Sequence, residues 1–171
     1  MRLTILFMSI VLMLLGCSSS GYDTLQEAVQ SQWDTPIQVL NQDEERQIVI
    51  YLDQTQYVAG LYQFDNNKYI YDRESSKGHR SSLEKEYPMF VKPVEFEGAE
   101  PFLYGAIVTE EHTVSKFVIH YTNGYTQEIP SKNNTIIAEF PFATQSINDY
   151  LEEVDNVIIY DENGEIITSW K

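Results

Sequence analysis

The one thiol in this 171-residue chain is Cys17, and its setting narrows what it can do. An apolar run from Leu3 to Leu15, interrupted only by Thr4 and Ser9, begins just after Arg2 and leads through Gly16 to the cysteine. A short positive start, an apolar stretch and a small residue before a cut are the three parts of an export signal. The run is too short for a comfortable membrane span, which needs roughly 20 apolar residues. Cleavage after Gly16 puts Cys17 at the head of the exported chain; the alternatives are an ordinary secretory signal that leaves Cys17 a free thiol, or an uncleaved helix. With no second cysteine to pair, stability must come from packing rather than from a disulfide.

The other residues that could do chemistry are scattered. His79, His112 and His120 form no pair at metal-ligand spacing, so no metal centre and no cofactor are expected. No serine sits in G-x-S-x-G or S-x-x-K, and no glycine-rich phosphate loop is present, so no catalytic residue is assigned and an enzyme is not favoured. Asp161-Glu162-Asn163-Gly164-Glu165 resembles the start of a calcium loop, but its bidentate glutamate would fall beyond Lys171, and the stretch reads better as a hairpin turn. Glu95, Glu97 and Glu100 alternate with apolar or small residues and read as a solvated edge.

Cations are few and clustered. Lys68, Arg73, Lys77, Arg80 and Lys85 fall close together, and the stretch from Arg73 to Glu86 lacks an apolar period and is rich in turn formers. It is expected to be a long mobile loop. Arg73, Lys77, His79, Arg80 and Lys85 are its candidate ligand-contacting or membrane-facing residues, either as a lid over an anionic ligand or as a patch on lipid headgroups. The plainer alternative is a solvated loop. The chain as a whole is acidic, with 11 Lys+Arg against 26 Asp+Glu and a net charge of −15. Arg2 is the only charged residue before Cys17, so cleavage makes the chain more negative still. Such a field repels nucleic acid, attracts cations or basic partners, and also serves solubility.

The elements that must position these residues follow from periodicity. Thr24-Leu25-Gln26-Glu27 is a capping box, and Leu25, Ala28, Val29 and Trp33 continue it as the apolar stripe of a short helix ended by Pro36. Strands are expected at residues 48–52, 57–64 and 69–71, with Gly60 at a bulge and Asp65-Asn66-Asn67 at a turn. A strand segment at Met89-Phe90-Val91 precedes a proline-punctuated connection. Six evenly spaced strands at residues 102–108, 113–121, 125–129, 135–140, 157–160 and 165–170 follow, with a short helix within 146–154. The fold expected is therefore α+β: an N-terminal helix with an antiparallel meander, then a β-sandwich-like, all-antiparallel C-terminal half. The corresponding division is a signal at 1–16, a modified cysteine and tether at 17–23, and subdomains at 24–95 and 96–171.

Leu14-Leu15-Gly16-Cys17 resembles the lipobox of bacterial lipoproteins. The resemblance implies that the Cys17 thiol carries lipid and that the signal is removed. Each buried methylene of an acyl chain adds roughly 0.8 kcal/mol, so two or three chains hold firmly. The pattern of lipobox, early Thr24–Ala28 helix, Tyr104-Gly105-Ala106-Ile107 strand and terminal Tyr160–Ile166 hairpin is similar to small lipoproteins of Gram-positive, spore-forming bacteria. Those lipoproteins have no assigned activity to carry over; the anchor, the β-rich body and the missing catalytic motifs lead instead to the expectation of an interaction or binding module, lipid-anchored on the extracytoplasmic face of the cell membrane, with a protein or cell-envelope partner. A small-ligand receptor or envelope enzyme with the Arg73–Lys85 loop as lid is the alternative. Ser18-Ser19-Ser20-Gly21 is a flexible tether that reaches at most ~14 Å when extended, so the body is expected to sit close to the membrane.

Overall fold

The structure, a computed structural model, describes residues 21–54, 56–80, 88–141 and 150–170, with the side chains of residues 79, 80 and 151 excepted. Among these residues eleven strands form three antiparallel sheets. The first is a meander of β1 (Ile37–Asp43), β2 (Ile48–Asp53), β3 (Gln56–Asp65) and β4 (Lys68–Arg80), in that order. The second places β6 (Phe102–Ile107) between β5 (Met89–Val94) and β9 (Thr135–Glu139). The third runs β11 (Ile166–Trp170), β10 (Val154–Asp161), β7 (Val114–Tyr121), β8 (Thr126–Pro130).

Layering follows from which residues are apolar on both faces. In β2, Ile48 and Ile50 pack with Phe102, Tyr104 and Ala106 of β6, while Val49 and Tyr51 pack on the opposite side with Leu25, Ala28 and Val29. In β6 the remaining alternate residues, Leu103 and Ile107, pack with Phe117, Ile119, Val157 and Ile159 of the third sheet. The second sheet is thus covered on both faces, and every residue of β6 is buried. A continuous apolar run is what a doubly covered strand requires. Burial of each such side chain stabilises by roughly 1.5–3 kcal/mol relative to exposure. Two asparagines tie the first sheet to the second: Asn133 Nδ2 donates to the Leu40 carbonyl at 2.6 Å and Asn41 Nδ2 to the Thr135 carbonyl at 3.4 Å.

The α+β expectation is corrected: among the described residues 60% are strand and 7% helical, closer to an all-β fold. The N-terminal helix is α1 (Leu25–Gln30), six residues long. Its capping box is formed as expected, but the helical bonds then tighten, Gln32 N–H to Val29 and Trp33 N–H to Gln30. This tight turn keeps Trp33 on the apolar stripe, so the sequence pattern outlasts the helix. The helix does the work of an edge cover rather than of a layer. Gln26 Nε2 donates to the Ile37 carbonyl at 2.7 Å, and the Ile37 and Val39 N–H groups donate to Gln30 Oε1 and Gln26 Oε1 at 2.9 Å. These amides occupy the outer edge of β1, which would otherwise be open to pairing. β1 itself escapes the sequence pattern because a register shift between Val39 and Asn41 breaks its alternation. A second helix, α2 (Tyr150–Glu153), is a single turn leading straight into β10; the rest of the expected 146–154 helix lies outside the described residues except Val154, which begins β10.

The stretch from Arg73 to Arg80 is not a loop but the second half of β4, paired with β3 from Ser76↔Gly60 to Arg80↔Gln56. β4 is the last strand of its sheet. An edge strand is selected for polar and charged residues rather than for alternation, which is why this one reads as a loop. The bulge expected at Gly60 is present, but its extra residues are on β4: the ladder passes from Tyr62↔Tyr71 to Gly60↔Ser76, leaving Asp72–Ser75 looped out. Gly60 is required there, since a Cβ would lie 2.8 Å from the Tyr71 hydroxyl.

Candidate functional site

The bulge in β4 separates the cations that the sequence places together. Arg73, on the bulge, lies over the Trp33 ring with Cζ 3.9 Å from its centroid. Around it a polar hollow of about 260 Å³ is lined also by Asp34, Thr35, Asp53, Gln54 and Gln56. With Asp34 and Asp53 beside it, Arg73 does not present a net positive surface to an anion. Lys77, past the bulge, pairs with Ala59, and its ammonium donates to the Glu95 carbonyl and lies 5.4 Å from the Phe96 ring centroid. His79 and Arg80 pair with Tyr57 and Gln56 through the backbone ladder. Cys17 and Lys85 lie outside the described residues. The structure therefore does not gather Arg73 and Lys77 into one basic patch; each is engaged by an aromatic ring on a different element.

What Lys77 does instead is hold down one wall of a groove. Its bond to Glu95 ties β4 to the connection between β5 and β6, residues 95–101. That connection turns at Gly98, whose φ of +78° favours glycine, and its Ala99 N–H donates to the Phe96 carbonyl at 3.2 Å. Beneath it the layer between the first and second sheets opens to solvent. A cleft of about 590 Å³, with Leu61, Ile70 and Ala99 among its lining residues, adjoins an apolar hollow of about 320 Å³ formed by Ile48, Leu61, Ala99 and Phe102. The two share Arg46, Leu61 and Ala99 and so form one groove.

The groove has an apolar floor and an acidic rim. Glu45, Asp72, Glu97 and Glu100 line it, and among the described lining residues Arg46 is the one cation. Arg46 is occupied: its Nη2 lies 2.7 Å and its Nε 2.9 Å from Asp43 Oδ2, and its backbone N–H donates to Asp43 Oδ1 at 2.9 Å. Burial alone would raise the Asp43 carboxyl, but the hydrogen bonds and charge of Arg46 hold it below its ordinary value. The paired Arg46 leaves the rim carboxylates without a cation of the groove's own to answer them. Tyr62 closes one side, its phenol pushed up to about 12, first by burial and then by the neighbouring Tyr69, Glu44 and Asp43. Such a surface suits an elongated ligand with an apolar body and positive charge.

Glu97 and Glu100 were legible in the sequence as an acidic edge; their role as the rim of a groove was not, because Leu61 and Ile70 come from other elements. The signals that bear on it are Gly98 within an acidic connection and the unpatterned stretch Asp72–Ser75. Among the described residues no three His, Cys, Asp or Glu side chains converge as a metal site. No helix among them is long and apolar enough to cross a membrane. Set beside known proteins, the chain matches no family model, no curated protein and no solved structure.

Proposed function

We propose that this chain is a lipid-anchored binding module on the extracytoplasmic face of the cell membrane, and that its groove takes a cationic, partly apolar ligand such as a basic amphipathic peptide segment. The observation that carries the binding assignment is the groove between the first two sheets, with Leu61 and Ala99 on its floor and Glu45, Asp72, Glu97 and Glu100 on its rim. Support for the anchor is the Leu14–Cys17 lipobox and the short tether behind it. The Arg73–Lys85 lid is set aside: Ser76–Arg80 is ladder-bonded to β3, Arg73 is held on the bulge over Trp33, and residues 81–85 lie outside the described residues.

The two parts are tested separately. Labelled palmitate fed to expressing cells is expected to enter the wild-type chain and not the Cys17→Ala variant; equal labelling removes the anchor. Calorimetric titration with a Lys/Leu amphipathic peptide is expected to give binding that weakens with salt and in Glu97→Gln/Glu100→Gln, while a Glu/Leu peptide of the same length does not bind. Equal binding of both peptides removes the groove's charge selectivity.

A further inference from the structure

A second surface lies where the tether meets the body. Tyr22 pairs with the outer edge of β4, its N–H donating to the Tyr69 carbonyl at 2.8 Å and its carbonyl accepting from the Tyr69 N–H at 2.9 Å. Tyr69 pairs in turn with Phe64 of β3, their ring centroids 4.7 Å apart. Residues directly opposite in a ladder share a face, so Tyr22, Tyr69 and Phe64 form an aromatic row across three neighbouring segments. Tyr22 is 40% and Phe64 47% exposed, two of four large apolar residues so exposed among those described. The row therefore spends apolar area on solvent, although the same face carries α1 only a few residues away.

We infer that this row is a membrane-interface contact, in which Tyr22, Phe64 and Tyr69 settle into the headgroup layer beside the lipidated cysteine and fix the orientation of the body. The inference rests on the lipid anchor at Cys17. The occupant is set by the length of chain available. Only residues 18–21 separate Cys17 from Tyr22, so the anchor is at most about 17 Å from Tyr22, and successive strands are about 4.8 Å apart. The row is thus inside the radius that the tether allows. Its charges suit a bilayer better than the rest of this acidic chain does: Lys68 lies 2.6 Å from Asp23, and Asp65 remains as the local excess. Tyrosine and phenylalanine are residue types that bury a ring at a membrane–water boundary, and tyrosine keeps its hydroxyl in water. The Tyr22–Tyr69 pairing also holds Gly21 against β4, where a Cβ would lie 2.6 Å from Lys68 Cβ.

The test uses the full lipidated chain in phosphatidylcholine vesicles. Cys17 is then acylated, so the Asp65→Cys variant carries a single free thiol for a nitroxide label; Asn163→Cys, in the β10–β11 turn, is the comparison. The label at residue 65 is expected to collide more readily with oxygen than with a water-soluble nickel chelate, whereas the label at 163 favours the chelate. Adding Tyr22→Ser and Phe64→Ser is expected to return residue 65 to the aqueous pattern while the protein stays on the vesicles. Vesicle-bound protein with an aqueous label at 65 overturns the docking and leaves the anchor standing. A chain without acyl groups that does not float with vesicles overturns anchor and docking together. A label at 65 that is equally protected in detergent, with a doubled hydrodynamic mass, assigns the row to a second copy of the chain and overturns the membrane contact.

Discussion

Gly105 sits in the middle of the most buried strand, and the space for a side chain there is already taken. An added Cβ would stand 2.7 Å from the Phe90 carbonyl oxygen and 3.0–3.1 Å from Val91 Cγ2 and Ile136 Cγ1. Backbone on one side and two apolar neighbours on the other cannot all give way. Gly105→Ala is therefore expected to destabilise by about 1–3 kcal/mol in urea unfolding, the usual cost of overpacking, with an unchanged m-value. Arg73 makes the opposite case: it is exposed, and its contact with Trp33 is a surface cation–π interaction. Arg73→Ala is expected to cost only about 0.5–1 kcal/mol and to leave peptide binding at the groove intact. At this scale the sequence separates types well and roles poorly. It marks Arg73 and Lys77 as unusual on an acidic chain, but whether a cation is free or engaged depends on rings, Trp33 and Phe96, contributed by distant segments.

At the scale of elements, the helix stands on its cap. Thr24 Oγ1 accepts from the Glu27 N–H, and Glu27 Oε2 accepts from the Thr24 N–H, both at 3.2 Å. Because α1 holds the Gln26 and Gln30 amides against β1, loosening the cap should fray the strand edge as well as the helix. Thr24→Ala is expected to lower stability by about 1 kcal/mol and to speed hydrogen exchange at Ile37 and Val39 in particular. Most strands were legible: each of the ranges expected across the second half of the chain overlaps a strand of the structure, although β8 and β10 run beyond theirs. Asn-containing turns were legible for the same reason, with Asn66 and Asn67 at φ of 51° and 60°. What was not legible is what depends on partners. β1 is broken by its register shift, and the later part of β4 is an edge strand whose polar composition imitates a loop. The helix was overestimated because a tight turn continues its apolar stripe to Trp33.

At the scale of the whole molecule, the buried tyrosines set the alkaline limit. Burial pushes the Tyr62 and Tyr104 phenols up to about 12 and raises Tyr51, Tyr121 and Tyr150 in the same direction. The folded chain favours the neutral phenols, so their contribution is fully present below the ordinary value of 10.0 and is lost as pH rises through the raised values. Unfolding followed by circular dichroism is expected to begin above that point, together with the ultraviolet absorbance of newly ionised phenols. A fold that persists while all phenols ionise near their ordinary value would contradict this burial. On the acid side Asp43 is held low by Arg46, so its contribution is present above 3.8 and is lost as pH falls through its lower folded value. The field that makes the chain acidic also gives the groove its character, and the two must be told apart, because any acidic protein attracts a basic peptide weakly. The direct measurement is backbone amide shift mapping of the isotope-labelled protein during titration with the Lys/Leu peptide at physiological salt. Shifts are expected to concentrate at Leu61, Glu97, Ala99 and Glu100, which line the groove, and to vanish from them in Glu97→Gln/Glu100→Gln. Shifts spread evenly over exposed acids elsewhere, such as Glu110, Glu111 and Glu162, with no change at Leu61, would contradict the groove as the binding site.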